Sequence, residues 1–389
     1  MAPFGVLAVV AIALAGCGSS DSAVTAPTTT PVTTTTTTTT QTTNPPTGPI
    51  PLLPAVLFAY SDATSPLPAW FTANGPGGSV IADDNTPATN QTTDAGATLG
   101  RVLFYDTRLS STNTISCGSC HVQSLGFGDT ARFSTGVAGF TARHTMSLAN
   151  ARFYKRGKFF WDERAATLED QVLMPIQNPV EMGETLDGVV AKVSAASFYP
   201  ALFQAAFGST VISSNAISLA LAQYVRSMIS SNSKFDKAFV GAGPPNFSNF
   251  TAQEQLGQTL FTGVAGCAAC HATNAHVLDA IHDTGLDSTI TDIGTGNGSF
   301  KAPSLRNVGL RASFMHDGRF RTLQQVVAFY DSGVQANPNL DRRLQNTDGT
   351  PRRLNLTQPQ RDALVAFLNT LTDSTYITAA RFSNPFPKP

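Results

Sequence analysis

Residues 116–121 read SCGSCH and residues 266–271 read GCAACH. Each stretch places two thiols three residues apart with a histidine directly beside the second. That is the spacing needed to attach a haem through two thioethers and hold an imidazole under its iron. A zinc site would want four ligands grouped together, and a redox C-x-x-C has no need of a following histidine in both copies. The cysteine inventory also closes, because Cys117, Cys120, Cys267 and Cys270 leave only Cys17. Two covalent haems c are therefore expected, with His121 and His271 as iron ligands.

Outward from these motifs the chain repeats itself. Leu99-Gly100 with Leu103-Phe104 recurs as Leu256-Gly257 with Leu260-Phe261, and Ser147-Leu148 with Asn150 recurs as Ser304-Leu305 with Asn307. Residues 161–175, WDERAATLEDQVLMP, match residues 316–330, HDGRFRTLQQVVAFY, so that Pro175 and Tyr330 hold equivalent positions. Each half closes on an amphipathic helical pattern, from Ile217 to Ile229 and from Gln358 to Leu371. Strand signals are few, and Gly and Pro punctuate the connections. The expected fold is mainly α: two tandem cytochrome c-like haem domains with long loops, over residues 51–245 and 246–389.

Residues 1–16 form an apolar run too short to span a bilayer, and they read as an export signal. Its end, L-A-G-C, resembles the lipobox of bacterial lipoproteins, which would make Cys17 the lipid-bearing residue and this anchor the one membrane contact. Residues 17–50 form a linker rich in Thr and Pro, a composition that cannot bury enough apolar surface to offset its ordering entropy. A periplasmic location follows from these features. The remaining chain is long enough for two domains: the protein has 389 residues, 42% of them hydrophobic. Its formal net charge of -1 without a basic cluster gives no reason to expect nucleic acid.

The segments LGRVLFYDTRLS (99–110), FFWDER (159–164), LEDQ (168–171), PVEMG (179–183), APSLRNV (302–308) and MHDGRF (315–320) resemble the bacterial dihaem cytochrome c peroxidase family, which includes the MauG proteins. The likeness runs from about Asp84 to Asp373. It implies that the first haem is the peroxide site and that the second passes electrons in from a small c-type cytochrome or copper protein. It also leaves a homodimer open. Carried onto this chain, the resemblance makes Trp161 the tryptophan between the haems, Gln171 the pocket glutamine and Glu181 the acid-base glutamate. The residues themselves support Glu181, since a carboxylate between Val180 and Met182 is costly without a purpose. The resemblance puts Tyr330 at the outer axial ligand of the second haem, with Met315 and His316 as alternatives. Pro175, at the equivalent place in the first half, has no atom that can bind iron.

Some family features are missing. No histidine lies between His121 and Arg143, where members often carry one that closes the peroxide site. His144 and Arg311 stand where the family has calcium ligands, so calcium is not expected. His276 and His282, in a polar loop, read as solvated. Three functions fit: a peroxidase that reduces hydrogen peroxide with a periplasmic donor, a MauG-like oxidase of a protein or organic substrate, and a non-catalytic electron carrier.

Overall fold

The computed structural model describes residues 48–74, 78–241, 243–276 and 280–387. The signal, Cys17 and most of the Thr/Pro-rich linker lie outside the described residues. The described chain is mainly helical, with two short antiparallel pairings, Thr135–Gly136 with Gly139–Phe140 and Ile281–His282 with Phe300–Lys301.

Each half is built on a pair of crossing helices. In the first, Asp94–Tyr105 packs on Ser214–Arg226, and in the second, Ala252–Thr262 packs on Gln358–Asn369. Local chemistry sets where they start. The hydroxyls of Thr93 and Ser213 accept from the amides of Gly96 and Ala216, at 2.9 and 3.1 Å, and Thr251 with Glu254 and Thr357 with Gln360 form reciprocal capping boxes. Apolar residues at helical spacing fill the seams, with Leu99, Leu103, Ile217, Leu221 and Tyr224 in one core and Leu260, Phe261, Leu364 and Phe367 in the other.

The repeated Leu-Gly pairs mark where the helices touch. A Cβ on Gly100 would overlap the Ala220 carbonyl, and a Cβ on Gly257 would overlap that of Ala363. Only glycine admits so close a backbone approach. The repeated asparagines, Asn150 and Asn307, both take left-handed backbone at φ 60°. Their amides donate to Met228 O at 2.9 Å and Leu371 O at 3.0 Å, which ties each loop to the end of its closing helix.

The two halves are joined by a reciprocal pair of backbone bonds. His144 N donates to His316 O at 2.7 Å, and Lys301 N donates to Trp161 O at 2.8 Å. The C-terminal segment then returns to the first core, where Tyr376, Phe382 and Phe386 pack, and where Tyr105 Oη and Tyr224 Oη donate to Phe382 O at 2.7 and 3.1 Å.

The WDERAATLEDQVLMP helix does not run up to its proline. It ends at Gln171, and Pro175 sits in the first turn of a new helical piece, Met174–Gln177, where a missing N–H costs nothing. In the second half the Leu323–Ala328 helix widens into a π-helical turn, Phe329–Gly333, that carries Tyr330. Among the described residues no helix is long and apolar enough to cross a membrane.

Gly257→Ala is expected to destabilise the fold by about 3 kcal/mol, because the added methyl forces the two helices apart. Denaturant unfolding of the haem-loaded protein measures this, and a loss below about 0.5 kcal/mol would mean that the crossing can relax.

Candidate functional site: two haem cradles and the wall between them

Both C-x-x-C-H segments hold a neutral histidine. His121 Nδ1 lies 3.0 Å from Phe127 O. A carbonyl can only accept, so the ring donates from Nδ1 and keeps a lone pair on Nε2 for a metal. Burial lowers the His121 pKa and holds the ring neutral, as a ligand must be. His271 is likewise held neutral by burial, at about 4, but its Nδ1 makes no hydrogen bond among the described residues. Burial pushes the Cys117 and Cys267 thiols up to about 12 and those of Cys120 and Cys270 to about 11. At ordinary pH these thiols are therefore protonated. No group of three or more His, Cys, Asp or Glu gathers to hold a metal ion among the described residues.

Beside Cys267, Cys270 and His271 lies a large, mostly apolar cavity. Its wall includes Leu305, Phe314, Leu364, Leu368, Met315 and Tyr330. The donor set and the apolar lining fit a covalently bound haem. His316 also faces this cavity, but its ring is stacked on Phe300 at 3.7 Å and its Nε2 is 3.8 Å from Asp292. Burial, with the nearby Cys270 and Cys267, raises the pKa of the Tyr330 phenol.

In the first half, Glu181 is half-buried in the turn after the Met174–Gln177 piece. Asn178 Nδ2 donates to its Oε1 at 3.2 Å. The hairpin around Val137 clamps its backbone, with Val137 N donating to Glu181 O at 3.0 Å and Ala138 N to Val180 O at 3.2 Å. Gly136 makes the clamp possible, since a Cβ there would overlap Val180 O. Burial raises the Glu181 pKa, and Arg164 opposes the shift. The Glu181 charge in turn adds to the rise of both Cys117 and Cys120, so the carboxyl lies within electrostatic reach of the first cradle. Gln171, also half-buried, ends the short helix ten residues earlier in the same run.

Trp161 stands between the halves. Its indole Nε1 donates to His144 O at 2.7 Å, its own carbonyl accepts from Lys301 N, and its ring lines the second cavity. The arrangement is two cradles, a carboxyl at one of them and an indole in the wall of the other.

Residues 94–243 match the family described as di-haem cytochrome c peroxidase, and residues 254–372 match cytochrome c. The methylamine utilization protein MauG of Methylorubrum extorquens is 35% identical over 297 residues, covering 73% of this chain and 80% of that protein. The cytochrome c551 peroxidase of Nitrosomonas europaea is 34% identical over 253 residues, covering 59% of this chain and 71% of that one. A solved MauG-like protein associated with microbial copper homeostasis has a TM-score of 0.66 at 32% identity, covering 78% of this chain and 96% of its own.

The chain belongs to the di-haem cytochrome c peroxidase family. It is an oxidoreductase with two covalently bound c-type haems.

Within this family member two expectations fail. His276 and His282 are buried, not solvated. The ring of His276 packs among Phe235, Phe261 and Phe367, and His282, with Nδ1 2.6 Å from Asp341, lines the second cavity. Their loop is polar in sequence, but it folds over the cavity, and Asp341, 59 residues away, supplies the partner. Sequence reasoning also missed Asn178 and the hairpin that fix Glu181. Gly136 was the available signal, as a glycine where the chain must approach another backbone.

Pyridine haemochrome and intact mass are expected to give two covalent haems per chain. One haem or none would contradict the paired cradles.

Proposed function

We propose that the protein reduces hydrogen peroxide to water at the cradle of His121. Electrons enter through the cradle of His271 from a small c-type cytochrome or copper protein. The observation that carries this reading is Glu181, a carboxyl of raised pKa held by Asn178 and by the Val137 hairpin within electrostatic reach of the first C-x-x-C-H. Cys117 and Cys120 would hold the first haem and Cys267 and Cys270 the second.

A c-type haem with an open coordination position supplies the binding site for peroxide and the electrons that break its O–O bond. The chain supplies the protons and the orientation. His121, donating from Nδ1 to Phe127 O, keeps the Nε2 lone pair with which it would hold the iron. Glu181 Oε1 is occupied by Asn178, so Oε2 takes the proton of the inner peroxide oxygen and returns it to the outer oxygen, letting water leave instead of hydroxide. Gln171 orients the peroxide, and Trp161 lies on the path between the cradles. Pro175 offers no ligand to the first haem, and the loop that lacks a histidine serves instead as the hairpin over Glu181.

A specific observation favours a second reading, MauG-like oxidation of a protein or organic substrate. Tyr330 lines the second cavity while the competing His316 is committed to Phe300 and Asp292. A phenolate cap favours Fe(III) and lowers the reduction potential, which suits an oxidase. Calcium has little place in either reading, because the Arg311 guanidinium lies near His144, donates to Ser304 O at 2.7 Å and brings positive charge where the family holds a cation. Export by the signal and anchoring at Cys17 would put the enzyme in the periplasm.

Stopped-flow mixing with peroxide separates these readings. Rapid turnover with reduced cytochrome c supports the peroxidase, a long-lived oxidised state without donor supports the oxidase, and no reaction leaves an electron carrier. Glu181→Gln is expected to lower peroxide turnover roughly a hundredfold or more while both haems stay attached. Because burial raises the Glu181 pKa and the base form must be ionised, turnover of the parent should fall with acid at a higher pH than an ordinary carboxylate dictates. Activity within a few-fold of the parent in the variant would remove Glu181 from the mechanism.

A further inference from the structure

The W-D-E-R turn and its duplicate H-D-G-R have the same backbone. Each closes an isolated antiparallel bridge, Phe159 with Ala165 and Phe314 with Phe320. At the third position of the turn the backbone is left-handed in both, φ 66° at Gly318 and φ 53° at Glu163. Glycine is the residue such a position favours, and any other side chain there is strained. The first half bears that strain for a carboxylate. Strain of this kind, at a place where the chain's own duplicate shows the relaxed solution, points to a use for the side chain.

The use is visible in what Glu163 touches. Tyr154, fully buried, donates its phenol to Glu163 Oε1 in a very short hydrogen bond. Arg156 grips the same carboxylate from the outside, Nε to Oε1 at 2.9 Å and Nη2 to Oε2 at 2.7 Å. A buried phenol needs an acceptor, but not a charged one. Tyr60, Tyr105 and Tyr224 are all satisfied by backbone carbonyls. A carboxylate differs in that it can take the proton away. Burial alone would raise the Glu163 carboxyl, but Arg156 and Tyr154 hold it below the usual range, so it stands ionised.

Tyr154 is also placed among the chain's oxidisable rings. Lys301 connects it to Trp161, with its backbone N bonded to Trp161 O at 2.8 Å and its Nζ 3.6 Å from the centre of the Tyr154 ring. On its other side Tyr154 belongs to the packed cluster of Trp70, which is stacked on Phe239 at 4.7 Å. Trp70 and Trp161 are the only tryptophans in the chain.

We propose that Tyr154 is a redox-active tyrosine between the two tryptophans, giving an electron toward Trp161 and its phenolic proton to Glu163. This rests on the peroxide reading for its oxidant. Hydrogen peroxide takes two electrons and two protons to become two waters: Tyr154 supplies one electron by way of Trp161, the external donor at the second cradle supplies the other, and the two protons come from solvent. In that step the O–H bond of Tyr154 breaks, Glu163 becomes a carboxylic acid, and Tyr154 becomes a neutral phenoxyl. One electron from an external reductant, with the proton handed back by Glu163, restores both groups.

The test is freeze-quench electron paramagnetic resonance of the dihaem protein, carrying ring-deuterated tyrosine, after mixing with hydrogen peroxide. A tyrosyl signal is expected in the parent, absent in Tyr154→Phe and at least tenfold weaker in Glu163→Gln, while haem content and the optical reaction with peroxide stay within twofold of the parent. Tyr199, whose phenol is bonded to the Asp106 carboxylate, is the internal alternative. A signal that survives Tyr154→Phe, or one unchanged in Glu163→Gln, overturns the proposal. So does a parent whose haems react with peroxide but which shows no tyrosyl signal. Photo-oxidation with ruthenium tris(bipyridine) and persulfate decides the case without peroxide. A Tyr154 radical formed there in a protein inert to peroxide keeps the relay and rejects the peroxide reading, and no radical there rejects the relay.

Discussion

Two backbone hydrogen bonds, His144 N to His316 O and Lys301 N to Trp161 O, hold the structure to its purpose. They are the same bond made twice, since His144 and Lys301 stand at equivalent places in the repeat, as do Trp161 and His316. Each half thus reaches across to the turn of the other. The bonds are short and buried, and they fix the Trp161 ring between a carbonyl of the first half and the cavity of the second. A tandem of two independent cytochrome domains would leave the distance between its haems to a linker. Here that distance is set by main-chain geometry.

From this shared frame the two halves diverge where chemistry requires it. One ends its W-D-x-R helix early and restarts on Pro175, and the other carries its helix through a π-helical turn to Tyr330. One spends its long loop on a hairpin that pins Glu181, and the other folds its loop over a cavity and buries His276 and His282. Even the left-handed turn position differs, glutamate in one half and glycine in the other. The duplication serves as an internal control, because each copy shows the alternative that the other did not take.

Much of this was legible in the sequence, for particular reasons. The C-x-x-C-H motifs carry covalent chemistry that needs those residues at that spacing, and the repeated Leu-Gly pairs turned out to be the sites of helix crossing. Helices with strong amphipathic patterns were found within a few residues of Ile217–Ile229 and Gln358–Leu371. What sequence could not give were partners far along the chain. His282 looked solvated because Asp341 is 59 residues away, and nothing in residues 374–386 announces that they return to the first core. The grip of Asn178 on Glu181 and of Glu163 on Tyr154 are local pairs, but they depend on turns whose shape no periodicity encodes.

The central claim is that Trp161, fixed by the crossed bonds, is the path between the cradles. Trp161→Phe keeps the ring's bulk and both haems but removes the indole. Starting from protein in which only the second haem is reduced, stopped-flow absorbance can follow its reoxidation after peroxide is added. The account predicts that peroxide still reacts at the first haem while reoxidation of the second slows by at least a hundredfold. Reoxidation at the parent rate would contradict it.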